Sequence, residues 1–368
     1  MVLDQRFLAR NVLPIATLLL GALLNAGVIS AQSQPIPIRI AIGAVAIGLV
    51  FATVFAVLHH AEAIAHRIGE PYGTLVLTLA VTTIEVSVIV AMMLHGENNP
   101  TLARESVFAT CMIVCGGVIG VCLMLGGMRH GHQELKRQGT SAYLAMLAAL
   151  AVLALVLPNF TLSGGDAAYS GIQLGFVSVL AVLLYISFVL AQTGRHKEDF
   201  VKELIEARER PHLAEMPGIS GNVIFLLAGL VGVVLLAEDI AAGIEGALVT
   251  LQVRQADAIV GAFIATLVLL PESVAAIKAS LKNELQRSLN IALGSACATI
   301  GLTIPAVATA SLITGKDLVL GLSSGDTVLL LLVLAVSMLS FGTGRTTSLT
   351  GLVHLVVFAA YCFLIFFP

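Results

Sequence analysis

The stretch Glu70–Leu94, EPYGTLVLTLAVTTIEVSVIVAMML, decides the fold. It is an apolar run of membrane length with one carboxylate, Glu85, near its middle. About 14 residues of apolar or hydroxyl sequence precede Glu85 and about 10 follow it, so at ~1.5 Å rise per residue the side chain falls near the midplane of a ~30 Å hydrocarbon layer. A charge at that depth costs several kcal/mol unless it is protonated, paired or turned to a polar cavity. A protonated glutamate bonded to a neighbouring helix would meet that demand without any further role. A second stretch shifts the balance. Ala256–Leu281, ADAIVGAFIATLVLLPESVAAIKASL, carries Glu272 at a similar depth, and each acid has a serine close behind it, Ser87 and Ser273. Two midplane acids in two similar helices point to a duplicated site.

The rest of the composition agrees with a membrane protein. Of 368 residues, 58% are hydrophobic and 11% charged, against about 25% charged in soluble domains. The formal net charge is -3, so no basic surface suggests nucleic acid. The five cysteines, Cys111, Cys115, Cys122, Cys297 and Cys362, all lie inside apolar runs. They read as small packing residues and give no disulfide framework. At the N-terminus, Arg6 and Arg10 precede the apolar run Val12–Ile29, and Ser30-Ala31-Gln32 resembles a weak cleavage region. The run is long enough to span, and the reading adopted is a retained first helix.

Apolar windows give about 11 spans, near residues 11–30, 38–66, 71–95, 105–128, 141–158, 171–192, 219–248, 256–281, 287–313, 326–341 and 348–367. Gly and Ser interrupt the last two. With the N-terminus in the cytoplasm, the inner side holds Arg6, Arg10, Arg67, Arg129, Lys136, Arg137, Arg195, Lys197, Lys202, Arg208, Arg210, Lys278, Lys282, Arg287 and Arg345. The outer side holds only Arg39, Arg104, Arg254 and Lys316. This bias supports both the orientation and the span count, because one wrong span would invert every later loop.

The chain divides accordingly into an N-terminal helix (1–37), a first set of five spans (38–194), a cytoplasmic linker (195–218) and a second set of five (219–368). In the linker, Phe200, Val201, Leu204 and Ile205 recur at helical spacing among charges, which predicts a short amphipathic helix. The two sets resemble each other. Ala61-Glu62-Ala63-Ile64-Ala65 reads against Ala237-Glu238-Asp239-Ile240-Ala241, and Arg104-Glu105-Ser106 against Arg287-Ser288. Five is odd, so the second copy enters from the opposite side. The fold expected is all-α and polytopic, with two inverted five-helix repeats after an extra N-terminal helix, the architecture of secondary transporters.

Glu85 and Glu272 head the candidate residues. Two carboxylates sharing a dry site bind protons more tightly than in water and titrate as one unit. A cation held between them keeps both ionised, and protons release it. Thr78 and Thr82 share the face of Glu85. Pro271 has no N–H, which frees a carbonyl near Leu267 as a cation ligand. In span 9, Asn290, Ser295, Thr299 and Thr303 offer further oxygens, or bonds to neighbouring helices. Glu62 and its repeat partner Glu238 are supporting acids. His59, Glu62 and His66 share one face of span 2, which reads first as a proton-relay or interfacial cluster; the spacing would also suit zinc or manganese. There is no P-loop and no G-x-S-x-G, and Ser163-Gly164-Gly165-Asp166 sits in an external loop, so neither ATP-driven pumping nor hydrolysis is supported.

Gly69-Glu70-Pro71-Tyr72-Gly73-Thr74-Leu75, the run through Glu85, Leu270-Pro271-Glu272-Ser273, Gly294-Ser295 and Leu302-Thr303-Ile304-Pro305 resemble the bacterial ChaA-type antiporters of the calcium/cation antiporter superfamily. The resemblance covers nearly the whole chain after the first span. It implies inverted repeats after an extra helix, with Glu85 and Glu272 binding the cation and carrying protons, and no cofactor. One departure bears on the ion. Calcium exchangers place a Gly-Asn pair three to four residues before each glutamate; here those positions hold Val81-Thr82 and Val268-Leu269. A Ca²⁺ shell of about 6–8 oxygens would need other donors, which leaves room for Na⁺ or K⁺.

The expectation is therefore an antiporter, not an enzyme, in a cytoplasmic or inner membrane, exchanging Ca²⁺, Na⁺ or K⁺ for protons. Its partners are inorganic cations, protons and membrane lipid, with homo-oligomer formation left open. The alternatives are a transition-metal carrier using His59, Glu62 and His66, and a membrane scaffold or intramembrane hydrolase, which would need no midplane acid pair.

Overall fold

The computed structural model describes residues 5–27, 36–68, 72–95, 99–162, 167–194, 218–250 and 255–367. Eleven helices run through them: α1 Gln5–Asn25, α2 Ile36–Ile68, α3 Tyr72–His95, α4 Leu102–His130, α5 Arg137–Phe160, α6 Gly171–Thr193, α7 Ile219–Thr250, α8 Ala256–Leu281, α9 Leu285–Thr314, α10 Ser324–Phe341 and α11 Ser348–Phe366. They match the apolar windows one for one. The first is displaced, beginning at Gln5 and ending at Asn25 where the sequence suggested 11–30, because Gly27 turns the chain at a φ of 71°. Among the described residues, nine are long and apolar enough to cross a membrane; the described apolar stretches of the other two are Asn11–Asn25 and Ala80–Met93. Most of the linker falls outside the described residues, as do the Ser30–Gln32 region and Ser163–Asp166.

Local chemistry sets the helix ends. Ser170 and Gln173 form a reciprocal capping box at the start of α6. Ser323 caps α10 by accepting from the Asp326 N–H at 3.2 Å. The repeat-related helices α4 and α9 both end on a glycine with positive φ, Gly131 at 75° and Gly315 at 69°.

The chain forms two compact units, each drawing on both halves. The first, Met1–Gly96 with Ile205–Gln252, contains α1, α2, α3 and α7. α7 packs on the other three, and glycines bring it against α1. A Cβ on Gly232 would lie 2.6 Å from the Leu18 nitrogen, and one on Gly21 2.8 Å from Leu235 Cβ. Beside this seam, Thr17 and Thr53 share a hydrogen bond between buried hydroxyls. His60 is buried, donates from Nδ1 to Asn222 Oδ1 at 2.7 Å and stacks on Phe225. With lipid as apolar as the side chains, such close backbone approach is what holds helices together. Gly232→Leu is expected to cost about 1–3 kcal/mol through overpacking, read as a lowered Tm in detergent, while Leu227→Ala on the exposed face of the same helix leaves Tm unchanged.

The second unit, Glu97–Leu204 with Val253–Pro368, contains α4, α5, α6, α8, α9, α10 and α11. Its contacts are reciprocal between the repeats. Gly116 of α4 lies against Phe358 of α11, and Gly301 of α9 lies against Tyr185 of α6, each at 3.0 Å from a would-be Cβ. The turn after α4 pairs with the turn after α10 as a two-residue antiparallel ladder, Gln133↔Thr346 and Glu134↔Arg345. The segment after α9 returns to α5 and the turn after it: the Gly321 N–H bonds to the Ala167 carbonyl at 2.8 Å, and the Leu322 N–H to the Leu155 carbonyl inside α5 at 2.9 Å. This is an all-α polytopic fold of two inverted five-helix repeats after an N-terminal helix.

Candidate functional site

Glu85 lies near the middle of α3, 2% exposed, in the first unit. Thr82, one turn earlier on the same face, is 6% exposed, and Val88 and Ile89 extend this buried stripe. The side chain of Thr78 lies outside the described residues, as do those of Glu238 and His66. Glu62 is exposed on α2, and His59 is half-buried. Among the described residues, no three His, Cys, Asp or Glu side chains converge where a metal ion could sit.

Glu272 lies in the second unit, half-buried, in a helix that runs unbroken through Pro271. Because proline has no N–H, the Leu267 carbonyl has no amide at position 271 to accept. The next residue but one, Ser273, instead bonds back to the Leu269 carbonyl at 2.7 Å. The expected shell on α9 divides. Asn290 accepts from Gln286 Nε2 at 2.8 Å, and Gln286 Oε1 in turn receives the Lys136 N–H at 2.7 Å at the start of α5. That binds Asn290 into a helix-end network. Ser295 is half-buried, Thr299 is 3% exposed and Thr303 is fully buried.

Between Thr299 and Thr303, α9 widens into a π turn, and α4 does so over Met112–Val118. π turns carry one extra residue, displace carbonyls from the helical ladder and recur at functional sites. The two sit at mid-helix in corresponding helices of the repeats. A third occupies Val152–Val156 of α5. No sequence signal marks them, since an inserted residue leaves an all-apolar helix just as apolar.

Sequence reading also passed over a charged group at the head of α4. Arg104 donates from Nε and Nη2 to Glu105 Oε1 at 2.9 and 2.6 Å, and from Nη1 to the Gly321 carbonyl at 2.9 Å. Both side chains are largely buried, 17% and 7% exposed. Asp257, at the start of α8, accepts from Asn99 at 2.9 Å and Thr101 at 2.6 Å. Gly261 of α8 presses on the Glu105 backbone, where a Cβ would be 2.8 Å from the carbonyl carbon. Arg104-Glu105-Ser106 was legible only as a repeat match. The signal that could have found it is the adjacent opposite charges at the start of an apolar helix.

Residues 38–194 and 221–367 match the family described as sodium/calcium exchanger protein. Over 324 residues, 87% of each chain, the sequence is 44% identical to y4hA of Sinorhizobium fredii, an ionic transporter by name. It is 36% identical over 339 residues, 91% of each chain, to the sodium-potassium/proton antiporter ChaA of Escherichia coli. The fold matches the crystal structure of the Ca²⁺/H⁺ antiporter YfkE with a TM-score of 0.72, at 15% identity, covering 99% of this chain and 100% of that one.

Proposed function

Because the chain belongs to the sodium/calcium exchanger family, we propose that it is a proton-coupled antiporter moving Na⁺, K⁺ or Ca²⁺ out of the cytoplasm against protons, with Glu85 and Glu272 as its shared cation and proton ligands. The observation that carries this reading is the burial of Glu85 to 2% exposure at the middle of an apolar helix, the place where a carboxylate is costly without an ionic task. Glu272, beside a helix-internal proline that strands a carbonyl, is its counterpart in the second repeat. The empty, doubly charged site is too costly to change sides, whereas the cation-loaded and protonated forms are not. Competition for one site then couples the two fluxes.

Na⁺ or K⁺ is the favoured cargo. Thr82 and Leu269 stand where two amide oxygens would complete a calcium shell, and the relative ChaA is named for sodium and potassium. The lysine and arginine bias supports a cytoplasmic N-terminus in an inner membrane. Everted vesicles loaded with a pH dye test the proposal. Adding Na⁺ or K⁺ is expected to release protons from the acidified lumen, with a weaker response to Ca²⁺. A response confined to Zn²⁺ or Mn²⁺ would replace it with the transition-metal reading, and silence to every cation would end the antiport reading.

A further inference from the structure

Resting on that reading, we infer that His354 is a positioning residue: its imidazole holds the π turn of α4 in register against the helix that bears Glu272.

His354 is fully buried in α11. Its Nδ1 lies 2.6 Å from the Cys115 carbonyl, inside the π turn Met112–Val118. A carbonyl only accepts, so Nδ1 carries the hydrogen. Nε2 is then bare and accepts from the Ser340 hydroxyl at 3.0 Å. One neutral tautomer thus bridges α10 and α4. The next glycines bring α11 against the bulge: a Cβ on Gly116 would sit 3.0 Å from Phe358 Cβ, and one on Gly120 3.1 Å from His354 Cβ.

The same device appears at a second π turn. Tyr169 donates to the Leu153 carbonyl of the α5 bulge at 2.6 Å, and burial pushes its phenol up to about 12, so it remains a donor at any working pH. A carbonyl displaced from the helical ladder in a dry interior is costly unless a side chain takes it. Each of these bulges has such a side chain, supplied from a different element.

The consequence for transport lies in register. A π turn rotates all that precedes it relative to all that follows, and one residue of shift is about 100° of azimuth. Ser106 and Thr110 precede the bulge of α4, both fully buried with hydroxyls that meet no protein partner. α8 packs along α4 from Glu105 to the π turn. Removing the imidazole lets the bulge relax toward α-helix, turns those hydroxyls away, and alters what the Glu272 helix packs upon.

The test uses the full chain in proteoliposomes. His354→Leu is expected to raise the apparent KM for the transported cation at least about tenfold, a change of the size a single lost hydrogen bond to a charged or desolvated group produces, with Vmax near wild type and Tm lowered because the Cys115 carbonyl and the Ser340 hydroxyl lose their partner. His354→Asn keeps a donor at the Nδ1 position and is expected to recover most of the affinity. In parallel, hydrogen exchange at residues 112–119 should rise in the leucine variant and return in the asparagine one. Unchanged hydrogen exchange would overturn the proposal, and so would raised exchange with an unaltered KM, or a fall in Vmax at constant KM. If the wild type carries no cation at all, the antiport reading fails on its own, and hydrogen exchange alone decides whether His354 holds the bulge.

Discussion

Glu85→Gln and Glu272→Gln each remove cation–proton exchange, with a loss of at least about 100-fold in everted vesicles, the equivalent of about 2.8 kcal/mol. The amide keeps the shape and the hydrogen-bonding capacity of the side chain. It loses the charge that would hold a cation and the oxygen that would take up a proton. Burial makes this a clean comparison. An amide in an apolar interior is cheaper than a carboxylate, so both variants should insert normally and melt no lower than wild type. Exchange at the wild-type rate in either variant would make that glutamate a packing residue and remove the basis of the proposed mechanism.

The second large effect concerns ion choice. Thr82 and Leu269 lie one turn before Glu85 and Glu272, on the faces those acids share, and both are buried, 6% and 2% exposed. Introducing Thr82→Asn and Leu269→Asn together adds two amide oxygens. If each contributes about 1.4 kcal/mol to holding a divalent ion, the preference for Ca²⁺ over K⁺ rises about 100-fold. The added amides are desolvated when the site is empty, at about 1–3 kcal/mol each. The double variant should therefore melt lower than wild type without Ca²⁺ and recover on its addition. A cation panel in vesicles and a Ca²⁺ titration of Tm read the two effects separately. An unchanged preference would mean that these positions do not face the cation.

Much of the fold could be read before any coordinates. Hydropathy located every helix among the described residues, including α10 and α11, where Gly and Ser weaken the pattern but Ser323 and its bond from Asp326 start the helix cleanly. The two acids stood out because charge at membrane depth is rare. What escaped depends on neighbours. A π turn has no composition of its own, so the one at Met112–Val118 becomes visible only through His354, 239 residues downstream of Cys115. Gln286 bonds to Asn290 at the start of α9, a partner that residue type and spacing did not announce. Glu62 fell on a helical face that gave no indication of its exposure. Arg104 and Glu105 are legible in sequence as a repeat match, and only the return of Gly321 to them makes the pair an interior one.

Neither half of the chain is a compact unit: Met1–Gly96 needs Ile205–Gln252, and Glu97–Leu204 needs Val253–Pro368. During synthesis, the first six helices therefore enter the bilayer before most of their lasting neighbours exist. α4 in particular waits for α8 and α11 while already carrying Arg104, Glu105 and a run of bare glycines. Contacts this far apart along the chain form slowly. Assembly in the bilayer is therefore a slow step that this architecture imposes, because the stretch 97–204 waits for partners synthesised after it.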